Sequence, residues 1–120
     1  MTERFPGYDV LDKRNTLSWN EPTRRAIDKR LSVHPGPRFF SASEWETLSA
    51  VCDRIVPQPK DRPPVPIPAY VDEKMYTNTI DGYRFEKMLP QGEAWQAALA
   101  ALDAESTKKH GARFHLLPAA

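Results

Sequence analysis

The sequence predicts an all-α protein of about four helices, joined by long proline-rich loops and preceded by an extended N-terminal arm. Apolar residues recur every three or four positions in several segments, as in an α-helix, and no segment shows the alternation typical of a strand. Six of the twelve prolines fall between Pro57 and Pro68. Proline has no N–H and does not fit a helix interior or a central strand, so we predict a stiff, polyproline-like connector in a chain that wraps a partner.

The N-terminal region is predicted to hold an arm and one short helix. Residues 1–20 show no sustained periodicity and form the arm, whose order is expected to depend on docking. Asn20 suits the N-cap of a helix from Glu21 to Leu31, with Pro22 in its first turn. The Pro-Gly-Pro sequence of residues 35–37 then predicts a break before the next helix.

The clearest helix begins after Ser41. Ser41 and Glu44 have the spacing of a capping box, in which each side chain accepts a hydrogen bond from the backbone N–H of the other residue. The apolar residues that follow keep to one stripe of a helix with 3.6 residues per turn. They are Trp45, Leu48, Val51, Cys52, Ile55 and Val56. We therefore predict a core helix that ends before Pro57.

Two further helices are predicted beyond the connector. The third has Pro68 in its first turn and runs to about Thr77, and the stretch from Asn78 to Leu89 is irregular. The fourth runs from about Pro90 to His110 and stops at Gly111. Its apolar stripe comprises Trp95, Leu99 and Leu102.

Length and charge indicate one domain, residues 21–120, after the arm of residues 1–20. Seventeen basic and sixteen acidic side chains alternate without blocks, which does not favour binding to nucleic acid or to an anionic membrane. No apolar run approaches the roughly 20 residues of a membrane span, and no export signal is recognisable. We expect a cytoplasmic location, with the periplasm open if a partner carries the chain there. The apolar ending of residues 116–120 suggests a fragment or a segment ordered by a partner.

Residue types that carry chemistry are few and badly placed for it. Cys52 lies late in its helix on the apolar stripe, so we interpret it as core, with a disulfide to another chain as the minority alternative. The spacing of the three histidines does not suit a metal site, and no glycine pattern for a dinucleotide is present. No cofactor, metal or catalytic residue is therefore expected in this chain. The paired carboxylates diverge on their helices and are assigned to solvated surface. These pairs are Glu44 with Glu46 and Asp72 with Glu73.

Large aromatic residues outside the stripes are the best candidates for partner binding, since such side chains anchor interfaces. The exposed prolines of the connector are a second set, because polyproline segments dock into aromatic grooves. The predicted partner-binding residues are Trp19, Pro63, Pro64, Pro66, Tyr70, Tyr83 and Phe114. Trp45 and Trp95 lie on stripes and are assigned to the core.

An ordered set of short motifs runs through residues 38–117. It comprises Phe39-Phe40-Ser41-x-x-Glu44-x-x-Thr47-Leu48, then Cys52-Asp53-Arg54-Ile55-Val56-Pro57, then Ile67-Pro68-Ala69-Tyr70-Val71-Asp72 and finally Gly111-Ala112-Arg113-Phe114. This order resembles the gluconate 2-dehydrogenase subunit 3 family. The resemblance implies a non-catalytic small subunit whose large partner is an FAD-containing flavoprotein of the glucose-methanol-choline (GMC) oxidoreductase family, often accompanied by a cytochrome c subunit. Many members of that family carry a twin-arginine export signal, which this sequence lacks.

Three hypotheses for function remain at this point. The first is an accessory subunit that binds, stabilises and matures a flavin-dependent sugar or sugar-acid dehydrogenase. The second is a free-standing helical interaction module that presents its proline-rich segment to an aromatic groove. The third is a small enzyme that uses Cys52 or His115, although no base and orienting residue accompany either in the sequence.

Overall fold

The computed structural model describes residues 5–119 and shows an all-α chain. Its helices are α1 (Glu21–Leu31), α2 (Ala42–Ile55), α3 (Ile67–Tyr76) and α4 (Gln91–His110), with short 3-10 helices at Val10–Lys13 and Phe114–Leu116. The described residues contain no strand. None of the helices in this range has both the length and the apolar character that crossing a membrane requires. The predicted fold class and its four helices are confirmed.

Contacts divide the chain into two compact units, the first ending at Val33 and the second starting at His34. In the first unit, the Asp9 carboxylate accepts a hydrogen bond from the Leu11 N–H and starts the first 3-10 helix. The predicted arm is therefore helical rather than extended at Val10–Lys13. Both guanidinium Nη atoms of Arg14 contact the carboxylate of Asp28 in α1. Neither helix of this unit has a buried residue. The predicted domain boundary at residue 20 stays a prediction.

The second unit begins with the predicted capping box. The Ser41 Oγ accepts from the Glu44 N–H at 3.1 Å, and the Glu44 carboxylate accepts from the Ser41 N–H at 2.8 Å. α2 packs against α3, α4 and the second 3-10 helix. Leu48 in its middle is fully buried, but Ile55 is 74% exposed. The apolar stripe thus runs past the part of α2 that neighbouring elements cover.

The core of the second unit is small. Its buried apolar residues are Phe40, Leu48, Cys52, Ala69, Met75 and Leu99. Trp45 and Trp95 pack against this cluster and are partly buried, in line with their assignment to the core. Phe39 lies so close to α4 that a Cβ added to Gly92 would stand 2.7 Å from its ring. Glycine at this position therefore lets α4 approach the chain that enters α2.

The prediction that Asp72 lies on the solvated surface is wrong. Asp72 was assigned there with Glu73, yet it is 1% exposed. Its two carboxylate oxygens accept from the backbone N–H groups of Arg38, Phe39 and Phe40 at 2.8, 3.0 and 3.1 Å. Three charge-assisted bonds compensate for the loss of solvation on burial. They tie α3 to the chain that enters α2.

The proline-rich connector folds back instead of continuing straight. It turns at Lys60 and Asp61. The Gln58 amide spans its two ends, donating to the Val56 carbonyl at 3.2 Å and accepting from the Val65 N–H at 2.9 Å. Pro66 has φ −79° and ψ 63°, the geometry of an inverse γ-turn, which ends any polyproline conformation there.

The Asp72 contacts give the first testable expectation. Replacing Asp72 with Ala leaves three N–H donors without an acceptor, and we expect a loss of about 2–4 kcal/mol in the free energy of unfolding. Asp72→Asn keeps one acceptor oxygen for part of the three N–H groups, so its loss in the free energy of unfolding should be smaller. Glu73→Ala, the adjacent position, is the control and should change stability by less than about 0.5 kcal/mol. Urea unfolding measures all three, and equal effects at the two positions would contradict the role given to Asp72.

Candidate functional site

The seven predicted partner-binding residues lie in different parts of the described chain. Trp19 is half-buried in the first unit, where its carbonyl accepts from Arg24 at 3.1 Å. Pro63, Pro64 and Pro66 are exposed in the connector, and Tyr70 is half-buried on α3. Tyr83 is 91% exposed. Phe114 is half-buried in the second 3-10 helix. Among these residues, only Tyr83 lines the cleft described next.

A cleft of about 590 Å³ opens between α3, the loop that follows it and the start of α4. Its inner part is formed by Val71, Met75 and Trp95, which belong to the core cluster or pack against it. The loop supplies further apolar lining. These loop residues are Ile80, Tyr83, Met88 and Leu89. The cleft is thus an open, mainly apolar surface continuous with the core.

The loop leaves α3 through a Schellman motif. Asn78 has a positive φ of 53°, its N–H donates to the Met75 carbonyl at 3.2 Å, and the Thr79 N–H donates to the Lys74 carbonyl at 3.0 Å. Asparagine is the residue other than glycine that takes this left-handed position most readily. This helix stop turns the chain toward α4 and fixes one wall of the cleft. An asparagine directly after the predicted end of the third helix is the sequence signal for this stop.

Polar side chains in the cleft are mostly engaged with one another. The Gln91 amide of α4 donates to the Thr79 carbonyl at 2.9 Å, which joins the loop to α4. The Lys74 ammonium pairs with the Asp81 carboxylate. Arg84 is exposed, and within residues 5–119 it makes neither a hydrogen bond nor an ion pair. The guanidinium of Arg84 is therefore the one charged group of the described lining that is left to solvent.

The loop around the cleft exposes an apolar surface. Its large exposed hydrophobic residues are Ile80, Tyr83, Phe85, Met88 and Leu89. Tyr83 was predicted from the sequence as a partner-binding residue, whereas the cleft was not predicted, because it forms only where α3 and α4 lie side by side. A connection as long as residues 77–90 without a helix or strand usually has a function. Clustered exposed apolar side chains of this kind mark binding surfaces.

A second group of polar contacts holds the C-terminal segment on α2 and α4. The Asp103 carboxylate of α4 accepts from the Thr47 hydroxyl at 2.8 Å, from the Phe114 N–H at 3.1 Å and from the Arg113 guanidinium at 3.1 and 3.2 Å. Burial by itself would raise the pKa of the Asp103 carboxyl. The hydrogen bonds from Thr47, Phe114 and Arg113 and the charge of Arg113 outweigh that effect, so its pKa is lowered.

Phe114 is held within the same segment. The Arg54 guanidinium of α2 lies over the Phe114 ring at 4.1 Å from its centroid and donates to the Leu117 carbonyl at 2.6 Å. One face of the ring is thus used inside the fold, which leaves less of Phe114 for a partner than its position near the chain end suggested.

The structure places the two residues considered for catalysis, Cys52 and His115, in different surroundings. Cys52 is buried in the core, and burial raises the pKa of its thiol, with a further rise from the negative charge of Asp53. His115 places its Nε2 3.3 Å from a Glu46 carboxylate oxygen, and its buried Nδ1 has no hydrogen-bond partner among the described residues. Within residues 5–119 no three His, Cys, Asp or Glu side chains are grouped to hold a metal ion.

The chain was compared with protein families, curated proteins and solved structures. The family model described as gluconate 2-dehydrogenase subunit 3 matches residues 42–120, about two thirds of the chain. No curated protein and no solved structure matches the chain.

The lowered pKa of Asp103 predicts a pH-dependent stability. Asp103→Asn should destabilise the fold at neutral pH, because Arg113, Thr47 and the Phe114 N–H lose a charged acceptor. The unfolded carboxyl titrates near pH 3.9 and the folded one below it, so the stability difference should be full above about pH 4 and vanish in stronger acid. Glu105→Gln is the control, since the Glu105–Lys109 pair on the same helix is exposed. Urea unfolding across this pH range would contradict the assignment if the difference stayed constant.

Proposed function

The chain belongs to the gluconate 2-dehydrogenase subunit 3 family, and from this membership we propose that it is an accessory subunit that binds and stabilises a flavin-dependent sugar or sugar-acid dehydrogenase of the GMC type. In this proposal FAD and the substrate pocket belong to the large subunit, and a cytochrome c subunit is a further partner. The small subunit contributes surface and no catalytic side chain.

The observation that carries the proposal is the apolar surface around the cleft. Among its described residues the second unit buries six apolar ones, yet it leaves Ile80, Phe85 and Met88 more than half exposed in a single loop. Exposed apolar area of this kind becomes favourable once a partner removes it from water. A partner that binds only the folded chain also raises its stability by mass action.

The state of Cys52 supports a non-catalytic role. A nucleophilic cysteine needs a lowered pKa and access to substrate. Cys52 is buried against the core, and its pKa is raised by burial and by Asp53. Chemistry in the complex is therefore assigned to the partner.

A second candidate function is an interaction module that uses the connector. The exposure of Pro63, Pro64 and Pro66 favours it. The γ-turn at Pro66 and the Gln58 bridge oppose it, because a groove for proline-rich ligands needs a continuous polyproline conformation. We rank this function below the accessory subunit.

The proposal is tested by co-expression of the tagged chain with a GMC-type flavoprotein encoded in the same genome. We expect the two proteins to co-purify with the absorbance of bound flavin, whereas the chain alone is colourless. The thermal unfolding midpoint of the chain should rise with flavoprotein concentration. An unrelated flavoprotein serves as the control partner. A stably folded monomer that ignores the encoded flavoprotein would contradict the proposal.

Substitutions in the connector distinguish the two candidate functions. Replacing Pro63 and Pro64 with Ala leaves the Gln58 bridge in place and removes the polyproline ligand. If the accessory-subunit proposal holds, flavoprotein binding should change by less than about threefold, since the replaced rings lie outside the cleft. Loss of binding to a different partner, with flavoprotein binding unchanged, would favour the interaction module. Titration by fluorescence or calorimetry measures the change.

A further inference from the structure

The charges of the cleft do not cancel. Three charged side chains line it, and two of them, Lys74 and Asp81, neutralise each other as an ion pair. The third, Arg84, makes neither a hydrogen bond nor an ion pair within residues 5–119. The neutral polar residues Asn78 and Gln91 are joined to each other at 3.5 Å, and Gln91 also donates to Thr79. The free surface of the cleft thus combines apolar side chains with one unpaired guanidinium.

This combination restricts what can occupy the cleft. The inner surface of Val71, Met75 and Trp95 is complementary to an apolar side chain. A guanidinium that an occupant covers must gain a partner, because an unpaired charge that loses water is costly. The group that best fits its planar fork is a carboxylate, which binds it through two parallel hydrogen bonds. A basic occupant would meet repulsion at Arg84.

We propose that the cleft binds a segment of the flavoprotein partner in which an apolar side chain stands close to an aspartate or glutamate. The apolar side chain packs on Val71, Met75 and Trp95, and the carboxylate pairs with Arg84. This inference rests on the proposed function and adds to it the position of the contact and the chemistry of the partner segment.

The loop geometry is consistent with a surface used in this way. Its start is fixed by the Schellman motif at Asn78 and by the Gln91 contact, so the cleft exists before the partner arrives. Tyr83 next to Arg84 is 91% exposed and offers an aromatic contact beside the ion pair. Aromatic residues and arginine are the residue types that carry most binding energy at interfaces, and Tyr83 and Arg84 both line the cleft.

The test compares charge variants of the chain in titrations with the purified flavoprotein. Arg84→Glu should weaken binding by at least about tenfold, because it opposes the partner's carboxylate. Arg84→Lys keeps the charge but loses the planar fork, so its loss should be smaller. Arg62→Glu, an exposed connector position outside the cleft, is the matched control and should bind like the native chain. Ile80→Glu tests the apolar part and should also weaken binding.

The salt dependence of binding and the thermal stability of the variants distinguish a lost ion pair from a folding defect. Raising the salt concentration should weaken binding of the native chain more than binding of Arg84→Gln, since only the native chain uses the ion pair. Thermal unfolding of the isolated Arg84 variants should match that of the native chain, because Arg84 makes no hydrogen bond or ion pair within residues 5–119.

The outcomes also distinguish this inference from the proposed function. If the native chain does not bind the flavoprotein, both are overturned. If the native chain binds and Arg84→Glu binds equally well, the cleft is not the contact, and the accessory role stands. If Arg84→Glu instead abolishes a dimer of this chain and leaves flavoprotein binding intact, a second copy occupies the cleft and the inference is wrong.

Discussion

Three backbone N–H groups in the chain that enters α2 converge on one buried carboxylate, that of Asp72 in α3. The contact spans more than thirty residues of sequence and crosses the whole connector. It sets the position of Phe40, the first buried residue of the core, and it places Met75 one turn further along α3. Phe39, held by the same carboxylate, packs against Gly92 and so brings in α4. The arrangement of α2, α3 and α4 therefore depends on a carboxylate buried beside a small apolar core.

The C-terminal segment is fixed by the same kind of interaction. Asp103 of α4 binds Thr47 of α2 and the backbone of Phe114, and Arg113 extends the network to Glu46. Long-range polar contacts thus take over part of the role that a large apolar core has in bigger domains. Such contacts need defined geometry, which makes the second unit specific in structure although its core is small.

The features that sequence predicted are those with local causes. The capping box of Ser41, the N-cap of Asn20 and the stop at Gly111 each depend on residues within one or two turns, and all three are found. Asp72 and Asp103 have the same local surroundings as solvated carboxylates, because their partners lie far away in sequence. The cleft was not predicted for a similar reason, because its walls come from α3 and α4, which are distant in sequence. Tyr83, which lines the cleft, was predicted to bind a partner because an aromatic residue in a loop is a local signal.

Rigidity connects the buried carboxylate to the proposed site. The inner wall of the cleft is Met75 and Val71 on α3, which Asp72 anchors, and Trp95 on α4, which Gly92 brings close to Phe39. A cleft whose walls are fixed before binding does not lose the conformational freedom that a mobile surface would lose on association. With a small core, the chain has little stability to spare for ordering a site at the moment of binding. A site built on helices already held together by Asp72 avoids that requirement, so in the proposed function the same interaction serves both folding and recognition.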